Sequence, residues 1–391
     1  MTTVGKSPES PAAHTLHQYL RMHGSGAFAY ATLQSGLDYF IEEGVGYIAY
    51  ASVRHPVLAP RGRKIALGDP ICAPRDCARL IEQFIRGDQK AVFVPVSETC
   101  GKSLQSLGFK VNCVGYEPEI RIQEYNTRGN WKELDLIRRA RNEAKRNGIV
   151  IREEPQLDRV QKSGLEEVSK NWLGGKTVND REVWMYSRPP VFQNEQDVRK
   201  FVAHKGDQIA GFSFYDPIYS NGETIGYSAN TSRCDETRFG KLSVAINMVA
   251  IDQFKKEGKK VLNLCIAPFH AVQEGKMNDD LLTKAFIGFM YNYGNGVYNF
   301  QGLSSHKAKY RAHHKPVYFA SNSLIPVNDV YLAFKACDMV RSYPEILAKM
   351  LCYALKRAGL DRSIHSWKTL RRFKQTAVEI VSVELSGSPN S

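Results

Sequence analysis

The sequence predicts an α/β fold made of two successive units of strands and helices, followed by a helical C-terminal extension. In the first unit, strand-like apolar runs such as GYIAYASV and KAVFVPVS alternate with helix-like segments. The second unit shows the same order of elements, although no residue-level repeat links the two. With 391 residues, the chain is long enough for two domains with their own cores.

Four parts of the chain follow from these patterns. Residues 1–18 are rich in Ser, Pro and Thr and are expected to be disordered. Residues 19–128 form the first unit, and residues 129–325 form a basic helix and the second unit. Residues 326–391 form an amphipathic, basic helical extension.

The second unit begins with the basic helix, WKELDLIRRARNEAKRNG. Arg138, Arg141 and Lys145 are spaced three and four residues apart, so they share one helical face. Such a face is either simply solvated or binds a phosphate backbone. Both interpretations stay open from the sequence alone.

The stretch from Gly211 to Ala320 carries the densest pattern in the chain. Alternating residues on both sides of Asn221-Gly222 predict a β-hairpin. A helix over 241–258, a buried strand ending at Pro268, a helix over 279–293 and a last strand complete the unit. Polar residues collect at the strand ends, where α/β sheets commonly bind ligands.

Charge restricts the class of partner. Lys and Arg outnumber Asp and Glu by 53 to 40, a net charge of +13. This excess favours polyanions such as nucleic acid, anionic phospholipid or phosphorylated substrates, although a merely basic soluble enzyme is the alternative. Trp367 and Phe373 among the basic residues of the extension favour contact with an anionic membrane surface, unless that helix packs on the body instead.

No feature predicts a metal, a disulfide framework or export. The eight cysteines lack Cys-x-x-Cys spacing, and several lie in apolar segments typical of reduced core cysteines. The N-terminus lacks an apolar signal region, and no apolar run reaches the length of about 18 residues that a transmembrane helix needs. We expect a cytoplasmic protein, with a peripheral position at the inner face of the membrane as a further option.

Candidate site residues are polar and cationic groups near strand ends of the second unit. No nucleophile elbow, Walker loop, Rossmann glycine fingerprint or His-Glu-x-x-His motif is present in the sequence. A group-transfer site that needs no cofactor fits this inventory. The candidates for catalysis are Arg233, Asn230, Asp235 and Lys307; those for substrate binding are Asn263, Lys309, His270, Gln301 and Glu182.

At these residues the sequence resembles the soluble C-terminal region of the phosphatidylglycerol lysyl- and alanyltransferases, the multiple peptide resistance factor family. The resemblance covers roughly residues 25 to 320. Its strongest piece is Phe-x-Gly-Leu followed by Lys-x-Lys, at Phe300, Gly302, Leu303, Lys307 and Lys309. The motif Asn-Leu-x-x-Ala-Pro, which begins at Asn263, supports it.

The resemblance implies two tandem GNAT-like acyltransferase folds, with the active site in the second. It also implies transfer of an amino acid from aminoacyl-tRNA, as co-substrate, to a lipid hydroxyl by a stand-alone soluble member without the N-terminal flippase. This sequence departs from the family pattern at six positions, three of them in Asn230-Thr231-Ser232, where the family usually has Asp-Leu-Met. Asn230 replaces an Asp, Ser304 replaces an Arg, and His314 and Val317 replace a Trp and an Arg. The first change puts recognition of a cationic aminoacyl group in doubt.

Three hypotheses follow. In the first, the protein is an aminoacyl-tRNA-dependent transferase that acts on a lipid. Lys307 and Lys309 would neutralise phosphate, and Arg233 would hold an anionic group. Asn230 and Asn263 would orient the amine or stabilise the oxyanion, and Asp235 would transfer a proton. The second keeps the fold but uses an acyl-CoA or acyl-carrier donor with an amine acceptor, which requires a glycine-rich loop before the helix at Lys241. The third is a non-catalytic module that binds RNA or membrane.

Overall fold

One mixed β-sheet of thirteen strands runs through both units of the protein, which we describe from a computed structural model. The structure describes residues 11–86, 90–127, 132–176, 182–235, 238–340 and 342–357. The first unit contributes the elements α1 (Pro11–His23), β1 (Asp38–Glu42), β2 (Gly46–His55), β3 (Ala59–Leu67), β4 (Ile71–Cys72), α2 (Cys77–Phe84), β5 (Ala91–Val96), α3 (Glu98–Ser106) and β6 (Lys110–Arg121).

The second unit begins with the predicted basic helix. Its elements are α4 (Lys132–Arg146), β7 (Ile149–Glu153), α5 (Arg159–Gly174), β8 (Arg199–Lys205), β9 (Gln208–Ser220), β10 (Glu223–Cys234), α6 (Leu242–Lys256), β11 (Val261–Asn263), β12 (Ala267–Pro268), α7 (Leu281–Tyr293), α8 (Phe300–Ala308) and β13 (His313–Ser321). Two helices follow, α9 (Pro326–Ala336) and α10 (Tyr343–Arg357).

The hairpin predicted at Asn221-Gly222 is confirmed. β9 and β10 are antiparallel, with Ser220 opposite Glu223. Asn221 and Gly222 have φ angles of 49° and 86°, the left-handed pair that a type I′ turn requires. The hairpin places Asn230 and Arg233 near the far end of β10.

Strand β13 joins the two units into one sheet. The strand order is β1-β2-β3-β5-β13-β6-β11-β10-β9-β8-β7, so β13 lies between two strands of the first unit. The predicted boundary at residues 128/129 therefore separates the two units only in part, because β13 belongs to the second unit in sequence. Its residues from Val317 to Ser321 are all buried, which requires a central position in the sheet.

The predicted disorder of the N-terminus needs correction where the structure describes it. Helix α1 begins at Pro11, inside the segment predicted to be disordered, because Leu16 and Leu20 pack into the core. At the start of the predicted extension, helix α9 packs on the body, because Leu332, Phe334 and their neighbours belong to the main hydrophobic core.

The strongly basic end of the predicted extension, from residue 358 onward, lies outside the described residues, so its contact with a membrane stays a prediction. In the parts of the chain that the structure describes, we find no helix with the length and hydrophobicity to cross a bilayer.

Candidate active site

A cavity of about 730 Å³ is lined by residues of β10, the end of α5, helix α8 and helix α9. Polar and charged side chains of the second unit line one part of it: Lys176, Glu182, Asn230, Thr231, Ser232, Arg233, Ser243, Asn247, Asn299, His306, Lys307 and Lys309. Apolar residues of β5, β6, β13 and α9 line another part: Val94, Pro95, Val114, Phe319, Val330, Ala333 and Phe334.

The order of strands separates these two groups of side chains. Between β5 and β10 the sheet contains β13, β6 and β11. At the usual spacing of about 4.8 Å, four inter-strand steps amount to about 19 Å. The cavity therefore has a polar end beside β10 and an apolar end beside β5 and α9.

Arg233 on β10 is fixed in the polar end. Its side chain is only 5% exposed. Its guanidinium donates hydrogen bonds to Ser169 Oγ on α5 and to Glu182 Oε1. Its Cζ also lies 4.9 Å from the centroid of the Trp172 ring. These contacts hold the planar guanidinium in one orientation at the cavity wall.

A second cation, Lys176, shares the Trp172 ring with Arg233. Lys176 Nζ lies 3.6 Å from the ring centroid. Burial and the nearby charge of Arg233 lower the pKa of Lys176 to about 8, while Glu182 opposes this shift. Two cations thus lie near one carboxylate, that of Glu182. The excess positive charge is suited to a further anionic group.

Asn230 is held by a buried ion-pair network that the sequence analysis missed. Its Nδ2 donates to Asp216 Oδ2 at 2.8 Å. The guanidinium of Arg188 donates to both oxygens of Asp216, at 3.2 and 2.5 Å, and to Glu195 Oε1 at 2.6 Å. The hydroxyl of Thr231 donates to the backbone carbonyl of Arg188 at 2.8 Å. This network fixes the part of β10 that lines the cavity.

Lys307 of α8 is a buried cation in the cavity wall. Its Nζ donates to the backbone carbonyls of Cys265 and Ile266 at 3.1 and 2.6 Å. Burial lowers the pKa of Lys307 to about 8, whereas Cys265 and Glu117 oppose this shift. Cys265 has a φ angle of 60°, an unfavourable left-handed conformation that its surroundings must impose.

Asn263 connects this lysine to a carboxylate of the first unit. Its Oδ1 accepts from the Cys265 backbone N–H at 2.7 Å, and its Nδ2 donates to Glu117 Oε2 at 2.9 Å. Burial raises the pKa of Glu117 to about 7, against the opposing effects of the Asn263 hydrogen bond, Lys315 and Lys307. Asn263 itself is not part of the cavity lining, contrary to the expectation that it contacts substrate.

Three more predicted site residues lie outside the lining, which corrects the predicted constellation. Asp235 accepts from the backbone N–H of Arg238 at 3.2 Å and so stabilises the turn before α6. His270 packs edge-on against Tyr116 and Tyr291. Gln301 Nε2 donates to the Tyr291 carbonyl at 3.0 Å and ties α8 to α7. Sequence proximity placed these residues in the site, but their side chains serve local structure.

The remaining predicted residues divide between two cavities. Glu182, Asn230, Arg233, Lys307 and Lys309 share the first one. Arg138, Arg141 and Lys145 line a second cavity of about 560 Å³, formed between α4, β7 and α6. Arg138 pairs with Asp135, and Arg141 pairs with Asp252 at 2.8 Å.

The residues of α8 and β13 that depart from the family pattern have local partners. The hydroxyl of Ser304 is buried and contacts the Tyr291 hydroxyl and the Gln301 carbonyl, each at 3.1 Å. His314 stacks on Tyr116 with ring centroids 3.9 Å apart, and Val317 is buried in β13. These positions therefore fill structural roles in this chain.

The loop before α6 offers little to a pyrophosphate group. Lys241 precedes the helix in a left-handed conformation, with φ of 64°, and Gly240 is the one glycine between β10 and α6. Glu236 and Thr237 in this loop lie outside the described residues. Within the described ranges, no cluster of three or more His, Cys, Asp or Glu side chains is placed to hold a metal ion.

Comparisons with known proteins match this fold. Residues 17–321 match the family model described as phosphatidylglycerol lysyltransferase, C-terminal. The structure of L-PGS from Bacillus licheniformis superposes with a TM-score of 0.68 at 20% identity, covering 86% of this chain and 98% of that one. These similarities and the continuous sheet confirm the predicted α/β class.

Curated relatives are longer than this chain. A phosphatidylglycerol lysyltransferase of Staphylococcus epidermidis is 24% identical over 64% of this chain and 29% of its own length. An uncharacterized protein of Corynebacterium glutamicum is 21% identical over 81% of this chain and 40% of its own length. The chain thus spans less than half the length of these relatives.

Proposed function

Because the chain belongs to the phosphatidylglycerol lysyltransferase C-terminal family, we propose that it transfers an aminoacyl group to the hydroxyl of an amphiphilic acceptor such as phosphatidylglycerol. The donor in this proposal is aminoacyl-tRNA. We do not specify which amino acid or which lipid is used, because the relatives named phosphatidylglycerol lysyltransferase are longer proteins.

One observation carries the proposal: a single cavity is cationic at one end and apolar at the other. Arg233 lies at the polar end, Lys307 and Lys309 of α8 also line the cavity, and Val330, Ala333 and other apolar residues line the opposite end. A phospholipid presents the same combination, an anionic headgroup joined to an apolar chain. A volume of about 730 Å³ is in the range that holds a headgroup and the first part of an acyl chain.

The proposed reaction exchanges one ester for another. The acceptor hydroxyl oxygen attacks the carbonyl carbon of the ester that joins the amino acid to the terminal ribose of tRNA. The new C–O bond forms, the C–O bond to ribose breaks, and the ribose oxygen takes up the proton that the acceptor hydroxyl loses. Because the donor ester is already activated, positioning and charge stabilisation are the main tasks of the protein.

The polar side chains of the cavity are suited to these tasks. Lys307 carries a buried charge that stabilises either the developing oxyanion or a phosphate beside it. Arg233 has N–H groups beyond those that contact Ser169 and Glu182, so it can bind an anionic group of either substrate. Asn230, fixed by Asp216, supplies an amide for the amine or the carbonyl of the donor.

A transfer assay tests the proposal. The purified chain is incubated with vesicles that contain phosphatidylglycerol and with tRNA carrying radiolabelled amino acids, and the lipids are separated by thin-layer chromatography. We expect labelled lipid with charged tRNA, none with free amino acid, and no effect of CoA depletion. Lys307→Ala should reduce the product at least about 100-fold, because a buried charge that stabilises the oxyanion is lost.

Lys276→Ala is the matched control, since this lysine is 73% exposed and pairs with Glu98 away from the cavity. It should retain the activity of the unmodified protein. Labelling that requires an acyl-CoA donor would instead support the CoA-dependent alternative. Binding of lipid or tRNA without any labelled product would leave a non-catalytic module as the function.

A further inference from the structure

A continuous path of contacts runs from Glu117 in the first unit to Lys307 in the second. Glu117 Oε2 accepts from Asn263 Nδ2 at 2.9 Å, and Asn263 Oδ1 accepts from the Cys265 backbone N–H at 2.7 Å. The carbonyl of the same Cys265 accepts from Lys307 Nζ at 3.1 Å. The path crosses from β6 over β11 to α8, so it links three elements that are distant in sequence.

The interior residues of this path are buried. Asn263 is 2% exposed, and Cys265 and Lys307 are each 8% exposed. Both polar ends of the Asn263 side chain are engaged, one by the carboxylate and one by the peptide N–H. Asn263 therefore cannot turn without losing two hydrogen bonds, and the loop at Cys265 cannot move without moving the carbonyl that holds Lys307.

A buried ammonium requires a compensating charge, because carbonyl dipoles alone do not replace its hydration. Glu117 acts electrostatically on Lys307, and Lys307 acts on Glu117 in return. The other charged groups that face this pair are Asp69 and Lys315, which act on Glu117, and Asp216, which acts on Cys265. None of these three has a contact with the Lys307 ammonium among the described residues.

We propose that Glu117 is a positioning residue for Lys307: through Asn263 and the backbone of Cys265 it fixes the ammonium at the cavity wall and keeps it charged. The inference rests on the proposed function in that Lys307 acts on the ester or the phosphate of a substrate. Glu117 is not part of the cavity lining, so it acts on a substrate only through Lys307.

A dependence on pH follows. The pKa of Glu117 is raised to about 7, so the carboxylate loses its charge as the pH falls through that value. The pKa of Lys307 is lowered to about 8, so the ammonium loses its charge as the pH rises through that value. The charged pair exists between these limits, and transfer should be fastest there, with apparent pKa values that belong to the pair.

Titration of Lys307 in Glu117→Gln tests the proposal without any turnover. The lysines are reductively methylated with ¹³C-formaldehyde, and the NMR signal of Lys307 is assigned by its absence in Lys307→Arg. Gln keeps a contact to Asn263 but removes the charge, so the pKa of Lys307 should fall by about half a unit or more. At a fixed pH near 8, this corresponds to about threefold more neutral amine relative to ammonium.

Glu119→Gln is the matched control, because Glu119 lies on the same strand and is buried, but pairs with Lys315. It should change the Lys307 pKa much less than Glu117→Gln does, because Glu119 affects Lys307 only indirectly, through Lys315 and Glu117. Glu117→Asp keeps the charge, so the Lys307 pKa in this variant should stay close to that of the unmodified protein. The comparison with Glu117→Gln separates the effect of charge from that of packing. A Lys307 pKa that is the same in Glu117→Gln as in the unmodified protein overturns the proposal.

The transfer assay tests the effect of Glu117 on turnover, independently of the NMR titration. If labelled lipid forms, Glu117→Gln should lower kcat with little change in KM and move the alkaline limb of the pH profile to lower pH. If Glu119→Gln shifts the alkaline limb of the pH profile by the same amount, the assigned path is contradicted. If no lipid forms while the Lys307 titration shifts as expected, the transferase function fails and the coupling of the two residues stands.

Discussion

Two groups of basic residues in this protein carry the same charges in very different surroundings. Arg233 in the cavity is 5% exposed and is fixed by Ser169, Glu182 and Trp172. Arg138 and Arg141 on α4 are 39% and 46% exposed, and each pairs with an aspartate at the surface. Water and salt screen the second group, whereas the first acts at close range in a poorly solvated site. Burial, and not charge count, distinguishes them.

The largest effect should come from Arg233→Lys. Lysine keeps the charge but loses the planar set of donors that contacts Ser169 and Glu182 together. We expect lipid labelling to fall about 100-fold or more, as for other fixed groups that stabilise charge in a reaction. Arg121→Lys is the control, because this arginine is 55% exposed and pairs with Glu124. Equal activity of both variants would remove the distinction between buried and exposed cations.

A smaller effect is expected from Ala333→Phe, which fills the apolar end of the cavity. Ala333 on α9 lines that end, far along the sheet from Arg233. The added ring should raise the KM for the lipid about tenfold while the KM for aminoacyl-tRNA stays nearly constant, because the lost space is apolar. Steady-state kinetics with each substrate varied in turn checks this. A rise confined to the tRNA KM would show that the apolar end does not hold the lipid.

The smallest effect should follow from replacing the three basic residues of α4 that line the second cavity. The triple variant Arg138→Gln, Arg141→Gln, Lys145→Gln should weaken tRNA binding about threefold at low salt, with almost no difference at high salt, since exposed charges are screened. Filter binding at several salt concentrations measures this. A loss that persists at high salt would mean that the second cavity binds tRNA by more than charge.

Much of the fold was predictable because the relevant interactions are local. The Asn221-Gly222 turn and the helices α6 and α7 follow from turn chemistry and periodicity. The disorder expected for residues 11–18 was wrong, since helix α1 depends on the core that Leu16 and Leu20 reach. Helix α8 was not identified, because its Gly and Ser residues give it no clear apolar stripe.

The site was predictable only in part. Asn230, Arg233, Lys307, Lys309 and Glu182 converge on one cavity, as expected from polar residues at strand ends. Trp172, Lys176 and Glu117 were missed, and Asp216 and Arg188 with them. Only Asp216 had a visible sign in the sequence, as an acidic residue inside the apolar run SFYDPIYS.

The amino-acid sequence by itself determined the α/β class, the order of most elements and the excess of positive charge, since each depends on composition or on residues close together in the chain. Tertiary structure decided that β13 lies between β5 and β6, which cationic residues are buried, and that Glu117 faces Lys307 through Asn263. Those outcomes depend on pairing and desolvation between segments far apart in sequence, and no local pattern encodes them.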